Sequence, residues 1–199
     1  MPGQPATDSP RGRPRRREVD DRILAVTLEL LAAHGYSALT LEAVGKAAGV
    51  TRPTIYRRWP GKPALVAHAL AAGMPPLSTP DTGDALSDLL DIAVDFITTF
   101  AESCYASAAF VLHAEARHDA ELAEQLFGSY LAPRAVLVHG LIERAQLAGQ
   151  LRSDLAPDLV RDILFGPLIY RWLVAGQPMD RPVARQLVEI SCRALVPIS

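Results

Sequence analysis

The sequence predicts an all-α fold of about nine helices, a three-helix N-terminal head joined to a larger helical bundle. Three observations predict it. After Glu18, apolar residues recur at three- and four-residue steps through nearly the whole chain, the period of one helix face. Glycine, proline and short hydroxyl or carboxylate side chains stand where these stretches begin and end. No stretch alternates apolar and polar residues as a half-buried strand would.

The elements follow in order. Residues 1–17 hold Pro, Gly, Ser and five arginines with almost nothing to bury, and read as a disordered basic arm. From Glu18, Ile23, Val26 and Leu30, with Leu24, Leu28 and Leu31, predict a first helix. It ends at His34-Gly35, with Gly35 in a left-handed cap. Thr40 caps a second helix, Leu41 to Ala48, which stops at Gly49. Thr51 caps a short third helix with Pro53 in its first turn, closed by Trp59-Pro60-Gly61. A fourth runs from Lys62-Pro63 to about Ala72, followed by a linker, Gly73 to Gly83. Leu86, Leu89, Ala93, Phe96 and Phe100 mark a fifth helix, with Asp84, Asp88, Asp91 and Asp95 as a solvated acidic stripe on another face. A sixth spans roughly Ala106 to Arg117. A long seventh runs from Asp119 to Ala148, bent or broken at Pro133. The eighth extends from Pro157 to Ala175 with a kink at Gly166-Pro167, and Asp180 caps the ninth.

Charge and composition narrow the function. The 199 residues carry a net charge of -2, but residues 1–62 hold eleven Lys/Arg against six Asp/Glu, so the remainder is acidic. One basic end on an acidic body suits a protein that meets a polyanion at that end. Hydrophobic residues make up 49%, enough for a real core. Two cysteines, Cys104 and Cys192, make neither a disulfide framework nor a zinc set and read as small buried hydrophobes. No secretory signal and no membrane-spanning run is visible, so a cytoplasmic protein is expected. His113 and His118 flank Glu115 at a spacing wrong for one metal-binding helix face. Neither a Gly-rich phosphate loop nor Gly-x-Ser-x-Gly occurs. No enzyme, cofactor or metal is expected.

The informative stretch is Thr40 to Trp59, TLEAVGKAAGVTRPTIYRRW. It reads as two helices meeting across a tight turn at Gly49, with Gly45 letting them approach and Val44, Val50 and Ile55 filling the angle. The second helix offers solvent Arg52, Pro53, Thr54, Tyr56, Arg57 and Arg58, donors and cations with no acid among them. A helix that enters the major groove of double-stranded DNA needs such a face. In the arm, Pro10-Arg11-Gly12-Arg13-Pro14 resembles an AT-hook core, in which Arg11 and Arg13 reach along a narrow minor groove.

The run Val19 to Leu70 resembles the DNA-binding domain of the TetR family of regulators. The likeness rests on Gly35-Tyr36, Thr40, Val-Gly-Lys-Ala-Ala-Gly-Val-Thr, Thr-Ile-Tyr, Trp59 (where Phe is more usual) and Lys62. Leu164-Phe-Gly-Pro-Leu-Ile-Tyr-Arg and Gly176-Gln-Pro-Met-Asp180 are similar to one subgroup of the family's ligand domains. The resemblance implies that Arg52, Pro53 and Tyr56 face bases, while Thr40, Thr51, Thr54, Arg57 and Lys62 meet phosphates. It implies a head, residues 18–62, on a ligand-binding and dimerisation domain, residues 63–199, and repression as the default mode.

One recognition helix contacts few base pairs, so a homodimer on two half-sites is expected. The last two helices, with Phe165, Leu168, Trp172, Leu187 and Ile190, are the expected interface; in the family two helices per chain form a four-helix bundle. The middle helices are expected to hold a small apolar effector among Phe96, Phe100, Phe110, His113, Phe127, Tyr130 and Tyr170. The competing reading is an architectural DNA-binding protein with no effector.

Overall fold

A computed structural model describes residues 13–74, 76, 80–103 and 105–197, and their regular structure is all helical, with ten α-helices and no strand among them. They are α1 (Arg13–Ala38), α2 (Leu41–Ala48), α3 (Arg52–Tyr56), α4 (Lys62–Gly73), α5 (Ala85–Glu102), α6 (Ala106–Glu115), α7 (Ala120–Leu126), α8 (Ala132–Leu147), α9 (Pro157–Ile169) and α10 (Arg181–Arg193). None is long and apolar enough to cross a membrane.

The first helix starts at Arg13, five residues before the Glu18 expected from sequence. Pro14 is tolerated in a first turn, where its missing N–H has no intrahelical partner, and arginine is a good helix former. Arg13 therefore belongs to a helix, while Pro10, Arg11 and Gly12 of the hook-like motif lie outside the described residues. Gly35 breaks this helix at φ 76°, ψ 172°. The positive φ is as expected, but the ψ is extended, so the chain leaves the helix abruptly and Tyr36–Ala38 add one further turn.

Seven caps and stops act through visible bonds or angles. Thr40 Oγ1 accepts from the Ala43 N–H at 3.1 Å, and Asp84, Asp119 and Asp180 cap α5, α7 and α10 in the same way. Gly49, Gly149 and Gly176 turn the chain with positive φ.

The long segment expected from Asp119 to Ala148 divides into α7 and α8 around a π-helical turn, Phe127–Leu131, in which the Ala132 N–H reaches the Phe127 carbonyl. The cause is Pro133. It donates no N–H and its ring presses on the preceding turn, and a wider turn just before it relieves both. A second π turn, Tyr170–Val174, follows α9. The disturbance expected as a kink at Gly166-Pro167 thus lies three residues later; α9 carries Pro167 inside it.

Two cores form. The first joins α1–α4 with α6 and α7 and includes Ile23, Leu28, Ile55, Leu65, Leu70, Leu112 and Leu122. It continues across residue 62, since α4 packs on α1 on one side and on α7 on the other. The second joins α5, α8, α9 and α10 around Leu89, Ile97, Ile142, Leu164 and Val188. Phe96 and Trp172 pack against both.

Of the acidic stripe expected to be solvated, Asp84 is exposed, but the other three residues face neighbouring elements. Asp88 is buried and accepts from the Thr82 hydroxyl at 2.7 Å and the Thr82 N–H at 3.2 Å. Asp95 pairs with Arg181 at 2.6 Å and Asp91 pairs with Arg185. Both pairs step by four residues in opposite directions, so antiparallel α5 and α10 zip together along one line.

Candidate nucleic-acid interface

The helix-turn-helix is built from α2, Gly49-Val50 and α3. At the end of α2 the Val50 N–H bonds the Gly45 carbonyl at 2.9 Å and the Gly49 N–H bonds Lys46 at 3.3 Å. This is the paired closure of a Schellman turn, and it needs the left-handed Gly49, φ 64°, ψ 36°. A Cβ on Gly45 would lie 3.0 Å from the Val50 carbonyl oxygen, so the glycine there admits the turn itself. Ile55 and Trp59 are buried and anchor α3 from beneath.

Anchoring one side of α3 presents the other. Arg52, Pro53, Tyr56 and Arg57 are exposed, and Thr40 and Thr51 lie exposed at the N-terminal ends of α2 and α3. Thr54 is half-buried; its hydroxyl meets that of Thr51 at 3.0 Å, and the Thr51 side chain makes no capping bond to a backbone N–H of α3, whose Thr54 N–H bonds the Thr51 carbonyl instead at 2.9 Å. Arg52 donates to the Tyr56 hydroxyl at 3.0 Å, with its guanidinium 5.1 Å from the ring centre.

Arg52 also pairs with Glu42 of α2, so the assembled surface includes an acid that α3 alone does not. Arg58 faces inward. It ion-pairs with Asp20 of α1 and donates to the Thr54 carbonyl at 2.9 Å, and its side chain is only 10% exposed. Neither pairing was legible in the motif, because Asp20 lies outside it and Glu42, though inside it, belongs to the other helix.

Lys62 opens α4 beside the head. Its Nζ stands 4.2 Å from the centre of the Tyr36 ring and 3.4 Å from the Ser37 carbonyl oxygen. Burial lowers the Lys62 pKa from its ordinary value, and the carboxylates of Asp119 and Glu115 act against that shift. Tyr36 is buried and its hydroxyl donates to Asp119 Oδ2 at 3.2 Å. Burial, then the Asp119 carboxylate, pushes the Tyr36 pKa well above the ordinary phenol range.

Of the residues expected around an effector, the structure brings five together. Phe96 stacks on Phe100 with centroids 5.2 Å apart, Phe110 meets Phe100 edge-on at 5.7 Å, and His113 lies 6.4 Å from Phe110 and 6.1 Å from Tyr130. His113 Nδ1 lies 2.6 Å from the Ala109 carbonyl oxygen. Phe127 and Tyr170 are 60% and 62% exposed and point away. Each belongs to a π turn that turns a different aromatic inward, Tyr130 in the first and Trp172 in the second.

Trp172 was expected at the dimer interface, but it contacts Phe100 and Phe110 at 5.5 and 5.6 Å. Leu168 is also an interior residue, fully buried within one chain. Both follow from helix rotation: α9 must give one side to α5 and α8. Phe165 and Leu187 are half-buried, and Ile190 is 54% exposed. The apolar side chains that α9, its π turn and α10 leave exposed are Leu159, Tyr170, Leu173, Val174 and Ile190.

Comparison with known proteins agrees with this geometry. Residues 23–69 match the family described as bacterial regulatory proteins, tetR family, and residues 79–190 match the tetracyclin repressor-like C-terminal domain. An uncharacterized HTH-type transcriptional regulator of Bacillus subtilis, YdeS, is 30% identical over 181 residues, 90% of this chain and 91% of its own. The Mycobacterium tuberculosis regulator Rv1556, also uncharacterized, is 30% identical over 189 residues, 94% of this chain and 89% of its own. Among solved structures, the TetR family transcription regulator SCO0332 superposes with a TM-score of 0.67 at 31% identity, covering 90% of this chain and 100% of that one.

Proposed function

The chain belongs to the TetR family and is a DNA-binding transcriptional regulator, and from that premise we propose that it acts in the cytoplasm as a homodimeric repressor, released by a small apolar effector. The observation that carries this reading is the exposed side of α3, held rigid by Ile55 and Trp59 beneath it. Arg52, Pro53 and Tyr56 read base edges in the major groove. Thr40, Thr51, Thr54, Arg57 and Lys62 hold the phosphates that fix register. Tyr56 and Glu42 pre-orient the Arg52 fork, which lowers the ordering cost of a bidentate contact.

The effector enters the aromatic seam of Phe96, Phe100, Phe110, His113, Tyr130 and Trp172. This seam lies where the two cores meet, so a ligand that parts these rings shifts one core against the other. Helix α4, packed between α1 and α7, then carries the shift to the head.

The test begins with selection of bound sequences from a random DNA pool. Arg52→Ala changes base preference within the selected site. Lys62→Ala weakens binding to all sequences alike and lowers the salt slope by about one. Unchanged preference in Arg52→Ala refutes the assignment of α3. An effector must weaken DNA binding by the same factor by which DNA weakens effector binding. A protein that no apolar compound releases fits the architectural reading instead.

A further inference from the structure

One tyrosine of the head bonds directly to the body. Tyr36 follows the Gly35 break, so its ring leaves the axis of α1 and lies under Lys62. Its hydroxyl reaches a residue 83 positions away, Asp119. Asp119 is committed on both oxygens. Oδ1 accepts from the Leu122 N–H at 3.0 Å and caps α7, while Oδ2 accepts from Tyr36. An unbroken line therefore runs from the first turn of α7 through Asp119 and the Tyr36 ring to the Lys62 ammonium. Glu115, at the end of α6, adds a second carboxylate to the same corner.

We propose that Tyr36 and Asp119 are positioning residues through which the acidic α6–α7 corner withholds Lys62 from DNA. This inference rests on the reading of Lys62 as a phosphate contact. An ammonium held over a ring and attracted by body carboxylates has to leave them to neutralise a phosphate. The corner thus sets a standing discount on DNA affinity, independent of sequence. A shift of α7 that strengthens this hold weakens DNA binding without touching α3. The coupling is electrostatic and acts on the phosphate contact, so it changes affinity and salt dependence and leaves base preference alone.

The experiment measures DNA binding of the full chain by fluorescence anisotropy at several salt concentrations. The variants are Asp119→Asn and Tyr36→Phe, each in the Lys62 and Lys62→Ala backgrounds. Asn retains an oxygen to cap α7, and Phe retains the ring beneath Lys62; circular dichroism and thermal midpoint monitor the fold. Asp119→Asn is expected to tighten binding to selected and random DNA alike by about two- to tenfold at low salt, a gain that fades as salt rises. Tyr36→Phe is expected to tighten it in the same direction by less. Both gains disappear in Lys62→Ala. If Asp119→Asn tightens binding equally with Lys62→Ala, the carboxylate merely repels DNA and the proposal fails. No gain from Asp119→Asn in a folded protein overturns it as well. Should Lys62→Ala alone leave affinity unchanged, the phosphate reading of Lys62 is what fails.

Discussion

Arg57 and Arg58 are neighbours of the same chemistry with opposite fates. Arg57 is exposed at the end of α3. Arg58 is drawn beneath the helix to Asp20 and the Thr54 carbonyl. Removing Arg58 strands a partly buried carboxylate, which costs about 1–3 kcal/mol. Arg58→Ala is therefore expected to lower the denaturation midpoint. Arg57→Ala should change stability by no more than about 0.5 kcal/mol, as surface changes do, while weakening DNA binding and flattening its salt dependence. A stability loss in Arg57→Ala with none in Arg58→Ala would reverse these roles. The motif shows two adjacent cations and nothing to separate them. Their difference arises from α1, which supplies Asp20 from outside the motif.

At the scale of elements, the two π turns carry the most information. A π turn closes through i to i+5 bonds and so contains one residue more than an α turn needs. Gly128, exposed in the first of them, is expected to be deletable without rotating α8 against its neighbours, because the wide turn contracts to an α turn at the cost of restoring the Pro133 strain. Deleting Glu143, an exposed residue within α8, rotates every later residue by about 100°, given 3.6 residues per turn, and takes Ala145 out of the core. The Gly128 deletion is expected to keep a cooperative thermal transition and the Glu143 deletion to lose it. Equal damage from both would show that the turn is not a store of one spare residue. Pro133 and Pro167 were legible as disturbances. Their exact expression was not, because a helix can kink, break or widen near a proline. The choice between these depends on which side chains, here Tyr130 and Trp172, the core draws inward.

For the whole molecule, the question is which apolar surface remains for a second copy. Leu168 and Ile190 lie on successive helices, but Leu168 is enclosed by its own chain and Ile190 faces outward. Leu168→Ala should destabilise the fold by about 2–5 kcal/mol, the usual range for a buried leucine, and leave self-association intact at temperatures where the chain is folded. Ile190→Arg should leave the fold intact and place a charge in the dimer contact. Sedimentation should then show monomers, and DNA affinity should fall because two half-sites are no longer bound together. A dimer that persists in Ile190→Arg would move the interface away from α10.

What the sequence by itself determined was local. Helical period, capping residues and glycine turns specify their elements through bonds spanning only a few residues. For that reason α2, Gly49 and α3 were readable, as were Ile55 as a core residue and the outward Arg52, Pro53, Tyr56 and Arg57, though not the inward Arg58 or the half-buried Thr54. What only the tertiary structure decided were pairings between different elements: Arg58 with Asp20, Arg52 with Glu42, Tyr36 with Asp119, and Asp91 and Asp95 of α5 with α10. The same holds for the division of aromatic residues between seam and surface. Periodicity marks a helix as amphipathic, but it does not say which apolar side meets its own chain. That is set by how several helices share one interior, and Phe127, Tyr170, Leu168 and Trp172 were placed by that sharing.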